Sequence, residues 1–130
     1  MKKNKNSLSH TPVLINEAIN FLCVNKNCLY VDATFGDGGH SKAILEKNKA
    51  CKVIAIDRDP SVLDKSRIIE QKYKKRFKLI LGRISNLEQI LNKEKINKIN
   101  GILFDLGVST RQLQDPQRGF SFQRCGPLDM

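Results

Sequence analysis

Between Leu29 and Asp105 the chain alternates short apolar runs with longer amphipathic stretches, and this alternation constrains the fold more than any other feature. Leu29–Ala33, Lys52–Asp57, Phe77–Leu81 and Gly101–Asp105 read as four strands, each too short for a helix and rich in Val, Ile, Leu or Phe. The segments between them carry apolar residues at helical spacing. One runs from about His40 to Lys47. A second runs from Pro60 to about Tyr73, with Val62, Leu63, Ile69 and Tyr73 as its contacts, and a third ends near Asn92. Ser85 and Glu88 have the spacing of a capping box for that third helix. Strands alternating with helices require right-handed crossovers, so the pattern predicts an α/β, doubly wound, parallel sheet.

Ahead of the first strand, Met1–Ser9 forms a polar basic tail. Thr11 can cap a first helix and Pro12 suits its first position; Val13, Leu14, Glu17, Ala18, Phe21 and Leu22 follow at helical spacing. After Asp105 the regularity stops. Gln114–Met130 is rich in Gly, Pro, Asp, Arg and Phe and reads as a structured loop. A chain of 130 residues accommodates one domain. The 40% of apolar residues argues against wholesale disorder. No run approaches the about 18 apolar residues of a membrane span, and the Lys-rich start lacks the apolar stretch of a signal peptide, so a soluble cytoplasmic protein is expected.

The net charge of +10 is a weaker guide. Lys, Asn and Ile number 16, 11 and 13, a bias that AT-rich codons produce independently of any partner. The longest acid-free basic stretch, Lys72, Lys74, Lys75, Arg76, Lys78 and Arg83, could meet phosphates, which would add affinity and no sequence information. Cys23, Cys28, Cys51 and Cys125 contain no C-x-x-C pair, and the two histidines lie away from them, so no zinc site is expected. The apolar neighbours of Cys23 and Cys51 suggest buried, reduced thiols.

In doubly wound sheets ligands sit at the carboxyl ends of the strands, near the switch in strand order. Three features fall there. The first is Asp32-Ala33-Thr34-Phe35-Gly36-Asp37-Gly38-Gly39-His40-Ser41, a strand, a Gly-rich turn and a helix start. The dinucleotide fingerprint would need Gly at position 41, where Ser41 stands, and Asp32 and Asp37 would oppose a pyrophosphate. Carboxylates beside such a turn suit a ligand with a positive end, such as the sulfonium and amino group of S-adenosylmethionine. A tight strand-to-helix connection explains the glycines equally. The second feature is Asp57, 21 residues after Gly36, which can accept both ribose hydroxyls of an adenosine cofactor. It can also serve as a helix N-terminal charge beside Pro60, and Asp57 and Asp59 could divide the two roles. The third is Asp105-Leu106-Gly107-Val108-Ser109, where Asp105 could accept from a cofactor group or from a substrate amino group.

Taken together the motifs are more specific. His10-Thr11-Pro12-Val13-Leu14, Thr34 to Ser41, Ala55-Ile56-Asp57-Arg58-Asp59-Pro60, Asp105 to Ser109, Arg118-Gly119-Phe120-Ser121-Phe122 and Gly126-Pro127-Leu128-Asp129-Met130 resemble, in order, the MraW-type family. These are the bacterial ribosomal RNA small-subunit methyltransferases H, which methylate N4 of a cytosine in the decoding region of 16S rRNA. The resemblance implies a Rossmann-like class I methyltransferase that uses S-adenosyl-L-methionine and acts on 16S rRNA of the small ribosomal subunit. By position, the cofactor residues would be Gly38, Gly39, His40, Asp57, Ile84, Asp105 and Gln112, with Asp105 also the first candidate for a catalytic acceptor. The family commonly has an aromatic where Ile84 stands, so adenine would be packed without ring stacking. Thr110-Arg111 replaces a more usual Ser-Pro, with little expected consequence.

The amine of cytosine is a poor nucleophile, so catalysis would rest on positioning and desolvation, with the base drawn out of its stack. Phe120 and Phe122 could stack on that base or pack the loop. Family members are more than twice this long. The resemblance therefore implies that residues 10–130 are the N-terminal part of the methyltransferase domain, without the C-terminal strands and the helical substrate domain. Four strands leave a sheet edge uncovered, so a 130-residue product is expected to be marginally stable and inactive. The competing readings are a non-catalytic remnant that binds cofactor or RNA, and a class I methyltransferase with another substrate.

Overall fold

The computed structural model describes residues 12, 14–22, 24 and 27–130. The basic tail, Thr11, Val13 and Cys23 lie outside the described residues. In chain order the elements are α1 (Ile15–Phe21), β1 (Leu29–Asp32), α2 (Gly39–Lys47), β2 (Lys52–Asp57), α3 (Leu63–Tyr73), β3 (Phe77–Leu81), α4 (Leu87–Lys93), β4 (Gly101–Leu103) and α5 (Thr110–Gln114). A 3₁₀ turn, Pro60–Val62, leads into α3.

The four strands pair in parallel in the order β3-β2-β1-β4. The chain steps outward from β1 to β3 and then returns to the far side of β1 for β4. The strand order therefore switches between β1 and β4, and a crevice opens there at the carboxyl edge. Alternation along the strands sends Tyr30, Val53, Ala55 and Phe77 to one face, where they meet Ile44 and Leu45 of α2 and Ile69 and Tyr73 of α3. Phe35, just after β1, packs its ring 5.6 Å from that of Phe77. Val31, Ala33 and Ile56 point to the other face, against Leu87, Ile90 and Leu91 of α4 and Ile99 and Ile102. Helices thus cover both faces, as the alternation predicts. The first face holds most of the buried apolar side chains, so most of the hydrophobic stabilisation lies there.

Several local expectations are corrected. Leu14 adopts a left-handed backbone (φ 52), so α1 starts at Ile15 and does not run on from Pro12. Ile19 is its buried residue, while Phe21 is exposed. Strands β1 and β4 end one and two residues early, although the Ala33 amide still donates to the Leu103 carbonyl at 2.9 Å. The Ser85–Glu88 capping box does not form. Ile84–Asn86 is a 3₁₀ turn, which places Ser85 inside the turn with its hydroxyl donating to the Asn86 side chain at 3.3 Å. A capping box forms instead at Ser109 and Gln112 and starts α5, a helix the irregular composition after Asp105 did not announce.

The basic stretch is partly balanced inside the fold. Lys72 pairs with Glu46 and Lys78 with Glu94. Arg76 donates to the carbonyls of Leu45, Asn48 and Cys51 at 3.1–3.3 Å, closing the C-terminal end of α2. Cys51 is buried, and that burial pushes its thiol pKa up; Cys125 is exposed. Among the described residues no helix is long and apolar enough to cross a membrane.

Candidate active site at the carboxyl edge of the sheet

A cleft of about 450 Å³ opens over the ends of all four strands. Thr34 follows β1, Asp57 to Asp59 follow β2, Gly82 to Ser85 follow β3, and Asp105 to Gly107 follow β4; Val62, Ser109, Gln112 and Met130 complete the lining. Of the residues the family resemblance selects, the fold brings Asp57, Ile84, Asp105 and Gln112 together on this wall. Gly38, Gly39 and His40 are not among its lining residues. Gly38 faces inward: a Cβ there would lie 2.5 Å from Ile69 Cδ1 and 2.7 Å from the Phe35 ring. Gly39 lies under Pro12. His40 is buried and reaches the cleft indirectly, its Nδ1 standing 3.8 Å from Asp105 Oδ2.

Of the two roles open to a carboxylate after β2, Asp59 takes the one at the helix start. Asp59 accepts from the Ser61 amide at 2.9 Å and caps the Pro60–Val62 turn. Asp57 lines the cleft, Oδ2 accepting from the Gly36 amide at 2.7 Å and Oδ1 from the Asp59 amide at 2.9 Å. A carboxylate offers about four lone-pair sites, so two acceptor positions remain for a ligand. Asp105 is fixed through its backbone, its amide donating to Thr34 Oγ1 at 2.7 Å, while its carboxylate stays about half exposed at the cleft.

The carboxylates of the Gly-rich segment do not supply the negative face the sequence suggests. Asp32 is fully buried, bonded by the Ser41 hydroxyl at 2.6 Å and the Thr34 amide at 3.2 Å. Burial outweighs those bonds and raises its pKa. Asp37 is paired with Arg111 at 2.9 Å. Asp57, Asp59 and Asp105 line the cleft; Asp59 is buried and paired with Arg118, which leaves Asp57 and Asp105 as its accessible carboxylates.

Gln112 lines the cleft, but its amide is occupied. Its oxygen accepts from the Ser109 amide at 2.8 Å, and its nitrogen donates to the Met130 carbonyl at 2.8 Å. Phe122 is fully exposed at the surface, so it does not pack the loop. Thr34, Val62, Arg58, Arg83 and Ser85 line the cleft without having been singled out as ligand contacts. The available signal was their place one to five residues beyond a strand end.

Arg118 holds the segment after α5 to the end of β2. Its guanidinium grips Asp59 with both terminal nitrogens, at 3.0 and 3.1 Å, and both side chains are largely buried. Burial by itself would raise the Asp59 pKa, but the Arg118 and Ser61 hydrogen bonds outweigh it and hold the carboxyl below its usual range. With a folded-state pKa below the unfolded value of about 3.9, the group contributes stability at higher pH and loses it as pH falls through the depressed value. Arg118→Ala is therefore expected to cost about 2 kcal/mol at pH 7 and to move acid unfolding to higher pH. Circular dichroism from pH 7 to pH 2 checks this; an unchanged acid midpoint would show that the pair contributes nothing.

A family model described as the MraW methylase family matches residues 7–130. The chain belongs to that family. Curated relatives named ribosomal RNA small subunit methyltransferase H include those of Rhodospirillum rubrum, 46% identical over 93% of this chain, and Buchnera aphidicola subsp. Baizongia pistaciae, 50% identical over 97%. The chain spans 37% and 40% of the length of these two MraW relatives. Among solved structures it resembles an rRNA methylase from Streptococcus thermophilus (TM-score 0.59, 25% identity, 76% of this chain and 58% of that one). It also resembles a Streptococcus mutans protein described as a methyltransferase and solved in complex with SAH (TM-score 0.60, 28% identity, 78% and 56%). Both likenesses agree with a class I methyltransferase sheet.

Proposed function

We propose that this chain carries the cofactor half of an S-adenosylmethionine-dependent enzyme that methylates the exocyclic N4 of a cytosine in the decoding region of 16S rRNA. The observation that carries the reading is the placement of two carboxylates, Asp57 from β2 and Asp105 from β4, on one cleft at the switch in strand order. The methyltransferase H relatives and the SAH-bound neighbour support the same chemistry. Residues 10–130 are read as the N-terminal part of the methyltransferase domain.

The residues present fit the cofactor. The cleft volume of about 450 Å³ lies within the roughly 300–1,000 Å³ of small-molecule sites. Asp57 keeps acceptor positions for ribose hydroxyls. Val62 and Ile84 offer apolar surface for adenine, and Asp105 offers a negative charge to the amino end. When bound, the cofactor supplies an electrophilic methyl group on a sulfonium. The chain's own residues bind, orient and exclude water. Gly38, Gly39 and His40 support the cleft by packing the turn and backing Asp105, and Gln112 does so by capping the start of α5. Asp105 accepts an N–H, either from the cofactor or from the cytosine amine; in the second case it draws density toward a nitrogen whose lone pair is delocalised.

With tritium-labelled S-adenosylmethionine, the full-length gene product that carries this chain is expected to transfer label to 30S subunits, and nuclease digestion should place it on N4-methylcytidine. Absence of label in 16S rRNA, or label on another nucleoside, overturns the reading.

A further inference from the structure

Arg111 occupies the second position of α5 and is two-thirds buried. Its two terminal nitrogens reach different loops: Nη2 donates to Asp37 Oδ1 at 2.9 Å and Nη1 donates to the Ser61 carbonyl. Each of these loops holds one oxygen of Asp57. Asp37 stands between Gly36 and Gly38, both at positive φ, and the Gly36 amide donates to Asp57 Oδ2 at 2.7 Å. On the other side the Ser61 amide donates to Asp59, whose own amide donates to Asp57 Oδ1 at 2.9 Å. A turn flanked by two glycines has little conformational preference of its own, so a contact that fixes Asp37 fixes the Gly36 amide. The planar fork of Arg offers a separate nitrogen to each loop, whereas Lys has one ammonium nitrogen that both loops would have to share.

We infer that Arg111 is a positioning residue for the ribose of the bound cofactor, setting the orientation of the Asp57 carboxylate through the Asp37 and Ser61 loops. The inference rests on Asp57 being the ribose acceptor. Both side chains of this ion pair keep about a third of their surface in solvent, so screening limits what the pair adds to stability, and removing it is expected to loosen Asp57 while leaving the fold largely intact.

The test compares the dissociation constants of S-adenosylhomocysteine and its 2′-deoxyribose analogue by calorimetry in wild type, Arg111→Ala, Arg111→Lys and Asp37→Asn. A hydrogen bond to a charged acceptor corresponds to about tenfold or more in affinity, so wild type should favour the ribose form by at least about that factor. The preference is expected to fall to about twofold in Arg111→Ala and to an intermediate value in Arg111→Lys, with melting temperatures close to wild type. Asp37→Asn, a partly exposed position, reads the same ratio should Arg111→Ala fail to fold. A ribose preference equal to wild type in both Arg111→Ala and Asp37→Asn overturns the inference, even if both ligands bind more weakly. A wild-type protein that does not distinguish the two ligands overturns the ribose role of Asp57 itself, and the inference with it.

Discussion

Replacing Asp57 with alanine is expected to weaken binding of S-adenosylhomocysteine by at least about 100-fold, the loss of two charge-assisted hydrogen bonds to ribose hydroxyls. The substitution also deprives two amides of their acceptor, those of Gly36 and Asp59. Gly36 would then be free to leave its turn, and the Pro60–Val62 turn would lose part of its anchor. A stability loss of about 2 kcal/mol should accompany the binding loss. Asp57→Asn separates the two effects. Its carbonyl oxygen can keep one amide, but its NH₂ faces the other, so affinity should fall between wild type and alanine. Titration calorimetry with parallel thermal melts checks the series. Were Asp57→Ala to lose stability yet bind S-adenosylhomocysteine normally, Asp57 would be a turn residue only.

Gly38→Ala is expected to destabilise the protein by about 2–5 kcal/mol, before any effect on ligand is considered. Gly38 has φ +78, in the left-handed region that costs an L-residue about 1–2 kcal/mol. The new methyl would also lie 2.5 Å from Ile69 Cδ1 and 2.7–2.8 Å from two atoms of the Phe35 ring. Ile69 can turn away. The Phe35 ring cannot do so cheaply, since it packs against Phe77 in the larger core, and overpacking there costs about 1–3 kcal/mol more. Chemical denaturation measures the loss. A drop below about 1 kcal/mol would mean that the turn yields, and that the glycine is there for a ligand rather than for packing.

These two positions show what could be read from the chain and what could not. Strand β2, Lys52–Asp57, and strand β3, Phe77–Leu81, appear where the apolar runs place them, because a buried parallel strand needs continuous apolar residues and has few other signatures. Asp57 was legible as a candidate ligand group, and its place on the cleft wall follows from the strand itself. Gly38 was legible as a special residue, but composition cannot say whether a glycine makes room for a ligand or for a phenylalanine ring. Helix α5 was not legible. It has five residues, and its capping box, Ser109 with Gln112, sits in a stretch without helical periodicity.

The electrostatics of the site shows the same division. Asp32, Asp37, Asp57, Asp59 and Asp105 are alike as letters, and each stands at or just beyond a strand end. The alternation of apolar and amphipathic runs determined by itself the α/β class, the parallel sheet and the edge at which a ligand could bind. Only the tertiary structure decided which carboxylates face that ligand. Arg111 reaches Asp37 across 74 positions and Arg118 reaches Asp59 across 59, so these pairings depend on where distant loops meet above the sheet. Ser41 lies nearer, yet it bonds Asp32 only because the turn folds back. Asp57 and Asp105 are left with carboxylate surface on the cleft. A charge's partners are set by distance in space, and the periodicity that specifies strands and helices carries no information about that distance.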